Sequence, residues 1–320
     1  MPVNRDKPDR WKKDIAQSVD FYNDWFMQFA PATFRETRVE TTKHVESALD
    51  LAEGLTKIMT EELKKNPNIL PMLRMSTCPP IARDRLIGLA RVSPNLVKVM
   101  EQDSRLPPQM RTAQIDEELL RIVNTVRRMV DPDIFPWLES NRKPTDIEVR
   151  RAATIVADRL CGAVADPIIR NAQERRQLAA ISAWLENRNY GSISPDERLR
   201  LEEMRPGTFG FRVNVPVTLE DGIKQVNIPI DVVIVPKKAK LGQIPLLLEA
   251  KSAGDFTNPN KRRKEEAVKM TQLRNTYGND VPYNLFLCGY FDSGYLGYEA
   301  AEGIDWVWEH RIDDLAEFGL

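Results

Sequence analysis

Two apolar runs of strand length set the frame for this chain. Asn227-Ile-Pro-Ile leads into Asp231 and then Val232-Val-Ile-Val235, and Ile244-Pro-Leu-Leu-Leu leads into Glu249-Ala-Lys251. Between them lies Pro236-Lys-Lys-Ala-Lys-Leu-Gly242, which has the composition of a turn. Apolar runs of this length bounded by Pro, Gly and Lys predict a β-hairpin. Each run carries charge where burial is expected, Asp231 at the head of the first and Glu249 near the end of the second. Side chains two apart on a strand share a face. Glu249 and Lys251 therefore point the same way, with Ala250 to the other side. Carboxylates beside apolar strands are costly unless they are paired or hold a metal.

The rest of the chain has a different texture. Ile15, Val19, Tyr22, Trp25, Phe26 and Phe29 recur at helical spacing and predict a helix over 11–29, with a turn at Pro31. Further helices are expected over 41–63, 116–130, 145–160 and 163–187, the last interrupted near Pro167. Another starts near Ile81, after Met75-Ser-Thr-Cys-Pro-Pro80. Ser76 or Thr77 is expected to cap it, and these hydroxyls with Arg83, Arg85 and Arg91 suit either a bound phosphate or a solvated arginine face. Past Tyr190 the pattern becomes β-like. Ser194-Pro-Asp-Glu197 opens a short helix to Met204, on which Glu202 and Glu203 are outlying candidates for a metal site. A strand over 209–219 puts Phe211, Val213, Val215 and Val217 on one face, and Asp221-Gly222 turns the chain into the Asp231 strand. With the Glu249 strand this makes a three-stranded meander. A helix from Lys261 follows, with Ala267, Met270 and Leu273 towards the sheet, then a strand over 282–290 and an aromatic tail, Tyr295, Tyr298, Trp306 and Trp308, packing its far side. The expected fold class is α/β (α+β). Residues 1–190 form a large helical region and 191–320 a core with a mixed central sheet flanked by helices.

Composition removes several function classes. No apolar run in the 320 residues is long enough to span a membrane, and the polar start does not read as a signal peptide. Cys78, Cys161 and Cys288 show no zinc spacing and read as reduced, buried thiols of a cytoplasmic protein. His44 and His310 stand apart, against a histidine metal site or a Ser-His-Asp triad. The net charge of −1 leaves nucleic acid open, because local charge decides that. Lys261, Arg262, Arg263 and Lys264 crowd what reads as the first turn of a helix, where the dipole disfavours cations. A polyanion would offset that repulsion; alternatively the cluster is solvated and balanced by Glu265 and Glu266. Asn258 and Asn260 are candidate readers of base edges, or ordinary turn residues.

The charges on the hairpin suit one chemistry. Magnesium needs oxygen ligands, and one or two carboxylates with waters suffice. Asp231 and Glu249 supply them, with the Ala250 carbonyl. Lys251 is placed to position or deprotonate an attacking water, or to steady a charged phosphate, and a nearby cation would lower its pKa. The competing reading is a structural ion pair between Lys251 and either carboxylate.

An Asp followed by Glu-X-Lys across a hairpin resembles the PD-(D/E)XK nuclease core, with Asp231, Glu249 and Lys251 as the matching residues. Ile230 replaces the pattern's proline, which sits one place earlier as Pro229. Longer stretches are more specific. Asp20-Phe-Tyr-Asn-Asp-Trp-Phe-Met-Gln-Phe-Ala-Pro31, Leu70-Pro-Met-Leu-Arg-Met-Ser-Thr-Cys-Pro-Pro80 and Glu249-Ala-Lys-Ser-Ala-Gly-Asp-Phe-Thr257 through Glu266 are similar to the XamI family of type II restriction endonucleases. That resemblance implies a magnesium-dependent endonuclease acting on double-stranded DNA at a short palindrome; the family's namesake is associated with GTCGAC. A palindrome is matched by a two-fold homodimer, with the helical region supplying dimer contacts, base reading, or both. Two other readings remain at this stage, a non-catalytic DNA-binding protein on a nuclease-like scaffold and a repair or junction nuclease.

Overall fold

The computed structural model describes residues 2–56, 58–140, 142–194, 201–219, 224–240 and 242–320, the side chains of Glu202, Lys261 and Arg262 excepted. The chain divides into two compact units, Ala30–Ile169, and Met1–Phe29 together with Arg170–Leu320. Residues 1–29 and 170–190 thus group with the sheet, although they read as part of the helical region.

Two long helices replace pairs of shorter expected ones. Helix α1 runs unbroken over Pro8–Leu51 with Pro31 inside, and α8 over Asp146–Glu186 with Pro167 inside. An interior proline forfeits a backbone hydrogen bond and costs about 3 kcal/mol. Packing on both flanks outweighs that cost here. On α1, Trp11 and Ile15 pack in the sheet unit, while Val45, Ala48 and Leu49 are buried in the helical one. Each proline lies close to the point where the chain passes from one unit to the other. Helix α1 stops well short of residue 63 because Glu53, Gly54 and Leu55 turn left-handed in succession and the Gly54 N–H closes on the Leu49 carbonyl.

Between them lie α2 (Thr60–Lys65), α3 (Leu70–Met75), α4 (Arg83–Ala90), α5 (Pro94–Asp103), α6 (Thr112–Met129) and α7 (Pro136–Glu139). They enclose a core of Leu63, Leu70, Leu73, Leu96, Ile122, Val126 and Trp137. Ser76 and Thr77 are fully buried and turn their hydroxyls inward, Ser76 onto the Met72 carbonyl at 2.9 Å and Thr77 onto that of Arg74 at 2.8 Å. Helix α4 begins at Arg83 with Ala82 before it, so the expected hydroxyl cap and phosphate cradle do not form. Arg83 instead shares Glu101 with Arg74, whose guanidinium meets both carboxylate oxygens at 2.6 and 3.0 Å. Cys78 is exposed, against expectation; Cys161 and Cys288 are buried.

Among the described residues the sheet has six strands in sequence order. β1 (Gly191–Ile193) lies parallel to β2 (Thr208–Thr218), and β2, β3 (Gln225–Val235) and β4 (Leu246–Ala253) form the expected antiparallel meander. Helix α9 (Thr257–Tyr277) carries the chain to β5 (Tyr283–Gly289), and α10 (Ser293–Ala301) to β6 (Asp305–Trp308), each added in parallel. Trp306 and Trp308 are therefore strand residues and Tyr295 belongs to α10, rather than a tail laid over the sheet. One face packs on Met270 and Leu273 of α9 and on Tyr295 and Leu296 of α10; the other packs on Ile181, Trp184 and Leu185 of α8. Burial on both faces explains the unbroken apolar runs.

One local feature overturns simple alternation. Phe209 and Phe211 face α8, but Val213, Val215 and Val217 face α9, so Phe211 does not share their side as expected. Arg212, between them, has a left-handed φ of 52°. β3 changes sides at the matching place, with Ile228 and Ile230 towards α9 and Val232 and Ile234 towards α8. The register pairs Phe211 with Val232 and Val213 with Ile230, which sets Arg212 opposite Asp231. Both strands flip at that pair.

The fold makes a stability test. The Glu101 side chain is 4% exposed and serves two arginines. Glu101→Ala leaves a buried Arg74 charge uncompensated and is expected to cost about 3–5 kcal/mol in urea unfolding. Arg85→Ala, at an exposed position, is expected to stay within about 0.5 kcal/mol.

Candidate active site

The hairpin opens where its acids meet. β3 and β4 pair Val233 with Leu247 and Val232 with Leu248. One step further the same register sets Asp231 opposite Glu249. There the Asp231 side chain takes over the ladder's role, its Oδ2 accepting the Ala250 N–H at 2.9 Å. In extended backbone the N–H and C=O of one residue point the same way, so the Ala250 carbonyl looks into this opening. Glu249 is 5% exposed. Lys251 Nζ lies 3.5 Å from Glu249 Oε1, as expected for side chains two apart on one face.

Helix α9 closes the site and supplies two residues that the sequence reading missed. Glu266, 2% exposed, accepts from Lys251 Nζ at 2.9 Å, and Lys269 Nζ donates to Glu249 Oε1 at 2.6 Å. Ammonium and carboxylate alternate along the chain Lys269, Glu249, Lys251, Glu266. Sequence reading placed Glu266 on the surface as a counter-charge to the basic cluster. A signal was present: Glu266 precedes Met270 by four and Leu273 by seven, which puts it on the buried face of a helix.

The start of α9 corrects a second expectation. The helix begins at Thr257, and the Asp255 carboxylate accepts the N–H groups of Thr257 and Asn258 at 2.8 and 3.0 Å. The basic run Lys261, Arg262, Arg263 and Lys264 therefore lies beyond the first turn, where the dipole's effect has fallen away, and it breaks no local rule. Arg263 stacks over the Tyr298 ring at 4.9 Å, and Lys264 is exposed. The side chains of Lys261 and Arg262 lie outside those described. Asn258 donates its amide to Asp255 at 2.6 Å, which serves the local turn, and Asn260 donates to Asp292, the residue before α10, at 3.0 Å. Glu203 is exposed; Glu197, the Asp221-Gly222 turn and the side chain of Glu202 fall outside the described residues.

Charge and burial tune the cluster. Burial, and then the charge of Glu249, push Asp231 up to about 6, against the pull of the Ala250 N–H and the two lysines. For Lys251, burial acts downward, but Glu249 and Glu266 more than offset it and raise its pKa. With the protein's own groups around it the ammonium form is favoured; the expected lowering is that of a bound cation. Glu249 Oε2 and Glu266 Oε2 are buried with no hydrogen-bond partner among the described residues. A buried carboxylate oxygen so placed is costly. Among the described residues no three acidic, histidine or cysteine side chains form a closed metal cage. The available donors are the Asp231 and Glu249 carboxylates and the Ala250 carbonyl. This oxygen-only set fits a hard divalent cation that keeps several waters.

The raised Asp231 pKa has a definite sign. The folded state holds the proton more tightly than the unfolded one, so stability falls as pH rises from about 4 to about 6 and is flat above. Asp231→Asn keeps an acceptor for Ala250 and removes the charge. Without divalent ions it is expected to be more stable than the parent by roughly 1–2 kcal/mol at pH 8, with the gap closing as pH falls from about 6 to about 4. Thermal melts across pH measure this.

The site defines a class, and comparison with known proteins gives the family. The sequence profile of the XamI restriction endonuclease family matches residues 53–308. The chain belongs to this family. It is also 51% identical over 317 residues, 99% of each chain, to the Type II restriction enzyme SalI of Streptomyces albus G. No solved structure matches it.

Proposed function

We propose that the chain is a type II restriction endonuclease built on a PD-(D/E)XK core, which uses Mg2+ to hydrolyse phosphodiester bonds of duplex DNA at a short palindrome, GTCGAC. The observation that carries this reading is the meeting of Asp231, Glu249 and Lys251 at the opened end of the β3–β4 pairing. Membership of the XamI family and the likeness to SalI support it.

A phosphodiester is an anion and resists attack by a nucleophile. When bound, magnesium supplies the positive charge that offsets this repulsion and makes a nearby water more acidic. Asp231 and Glu249 hold the ion, with the Ala250 carbonyl completing the protein's share. Lys251, held between Glu249 and Glu266, steadies the negative charge that develops on the scissile phosphate. Lys261, Arg262, Arg263 and Lys264 contact the DNA backbone, and Asn258 and Asn260 approach the bases from the first turn of α9. Two copies of the chain act as a homodimer, one active site for each strand of the palindrome. Residues 1–190 serve recognition, dimerisation or both, and 191–320 catalysis, in a protein of the cytoplasm. Among the described residues no helix is long and apolar enough to cross a membrane.

Digestion of a plasmid of known sequence tests the proposal. Cleavage is expected at GTCGAC in magnesium and absent in EDTA, with Asp231→Ala binding DNA but not cutting it. No cleavage with any divalent ion would leave a DNA-binding protein without catalysis. Cutting of branched but not linear duplex would indicate a junction nuclease. Unchanged cleavage by Asp231→Ala would reject the assigned site.

A further inference from the structure

Glu266 touches neither the ion nor the phosphate in the chemistry above, yet it is the best-buried charged partner that Lys251 has. Its Oε1 lies 2.9 Å from Lys251 Nζ, against 3.5 Å for Glu249. Its backbone is anchored, because Met270 and Leu273, on the same face of α9, are 2% and 0% exposed. Burying this carboxylate is costly, and an apolar side chain would pack at the same place more cheaply. A lysine has a long, flexible stem and three rotatable donors, so its ammonium needs a fixed acceptor to stay in one place. Glu249 is a poor one, since its Oε1 already receives Lys269 at 2.6 Å and it is also the ion's carboxylate.

We propose that Glu266 is a positioning residue of this nuclease site, whose carboxylate holds the Lys251 ammonium at the height of the scissile phosphate while Lys269 holds Glu249. The inference rests on the nuclease reading given above. Glu266 acts through Lys251 and does not itself bind the metal.

Single-turnover cleavage of a duplex that the parent chain cuts tests this, with Glu266→Gln, Glu266→Asp, Lys251→Met and the double variant Glu266→Gln/Lys251→Met. Circular dichroism melts fix an assay temperature at which each is folded, and calorimetry measures magnesium binding. Glu266→Gln is expected to lower the cleavage rate at saturating DNA by about 10- to 100-fold, with the half-saturating DNA concentration and magnesium affinity unchanged. Glu266→Asp, which keeps the charge on a shorter stem, is expected to fall between Gln and the parent. Added to Lys251→Met, the Gln substitution is expected to cost nothing more. Parental rates in Glu266→Gln beside a crippled Lys251→Met would overturn the inference and leave the nuclease site intact. A loss of magnesium affinity would also overturn it, by making Glu266 a ligand, as would a further loss in the double variant. Parental cleavage by Lys251→Met would instead remove the catalytic role of Lys251 on which the inference stands, leaving the chain a nuclease with a differently built site.

Discussion

Asp231 and Glu249 face each other between buried strands, and neither has enough solvent around it to relax their repulsion. Burial and that repulsion together push Asp231 up to about 6. A packed sheet does not ordinarily tolerate such a pair. Here it is held by the flip of two strands at once, with Arg212 in a left-handed conformation opposite Asp231. Backbone held in a sparsely populated region costs energy and persists where the surroundings fix it, often at functional sites. The flip sends Ile230 and Val232 to opposite faces, and Asp231 at the corner is left to bond the Ala250 N–H.

Helix α9 answers the negative charge so concentrated. It presents Lys269 to Glu249 and receives Lys251 on Glu266, three residues earlier on the same face. The four side chains alternate in sign and are fixed by the burial of Met270 and Leu273 beneath them. Oxygens of Glu249 and Glu266 remain buried without a hydrogen bond among the described residues. Full pairing would suit a purely structural network better. The same network holds Lys251 between two carboxylates.

Much of this was legible in the sequence. Apolar runs bounded by turn residues marked the meander, and the two-residue spacing of Glu249 and Lys251 correctly put them on one face. The proline rule failed for α1 and α8, because packing on both flanks of each long helix outweighs one lost hydrogen bond. Alternation failed at Phe211, because a single left-handed residue reverses the faces and nothing in Arg212 as a residue type announces it. The start of α9 was placed four residues late, because Asp255 was read as loop rather than as the group that satisfies the first N–H donors. That error made the basic run look like a broken rule and hid Glu266, whose spacing to Met270 and Leu273 already marked a buried position.

The central claim is that a divalent cation is held between Asp231, Glu249 and the Ala250 carbonyl. Anomalous diffraction from Mn2+ in crystals of the chain with duplex DNA locates the ion directly. The account predicts a peak bounded by those three groups, with Lys251 directed at the neighbouring phosphate. A peak elsewhere, with Asp231 and Glu249 left uncoordinated beside the DNA, would contradict it.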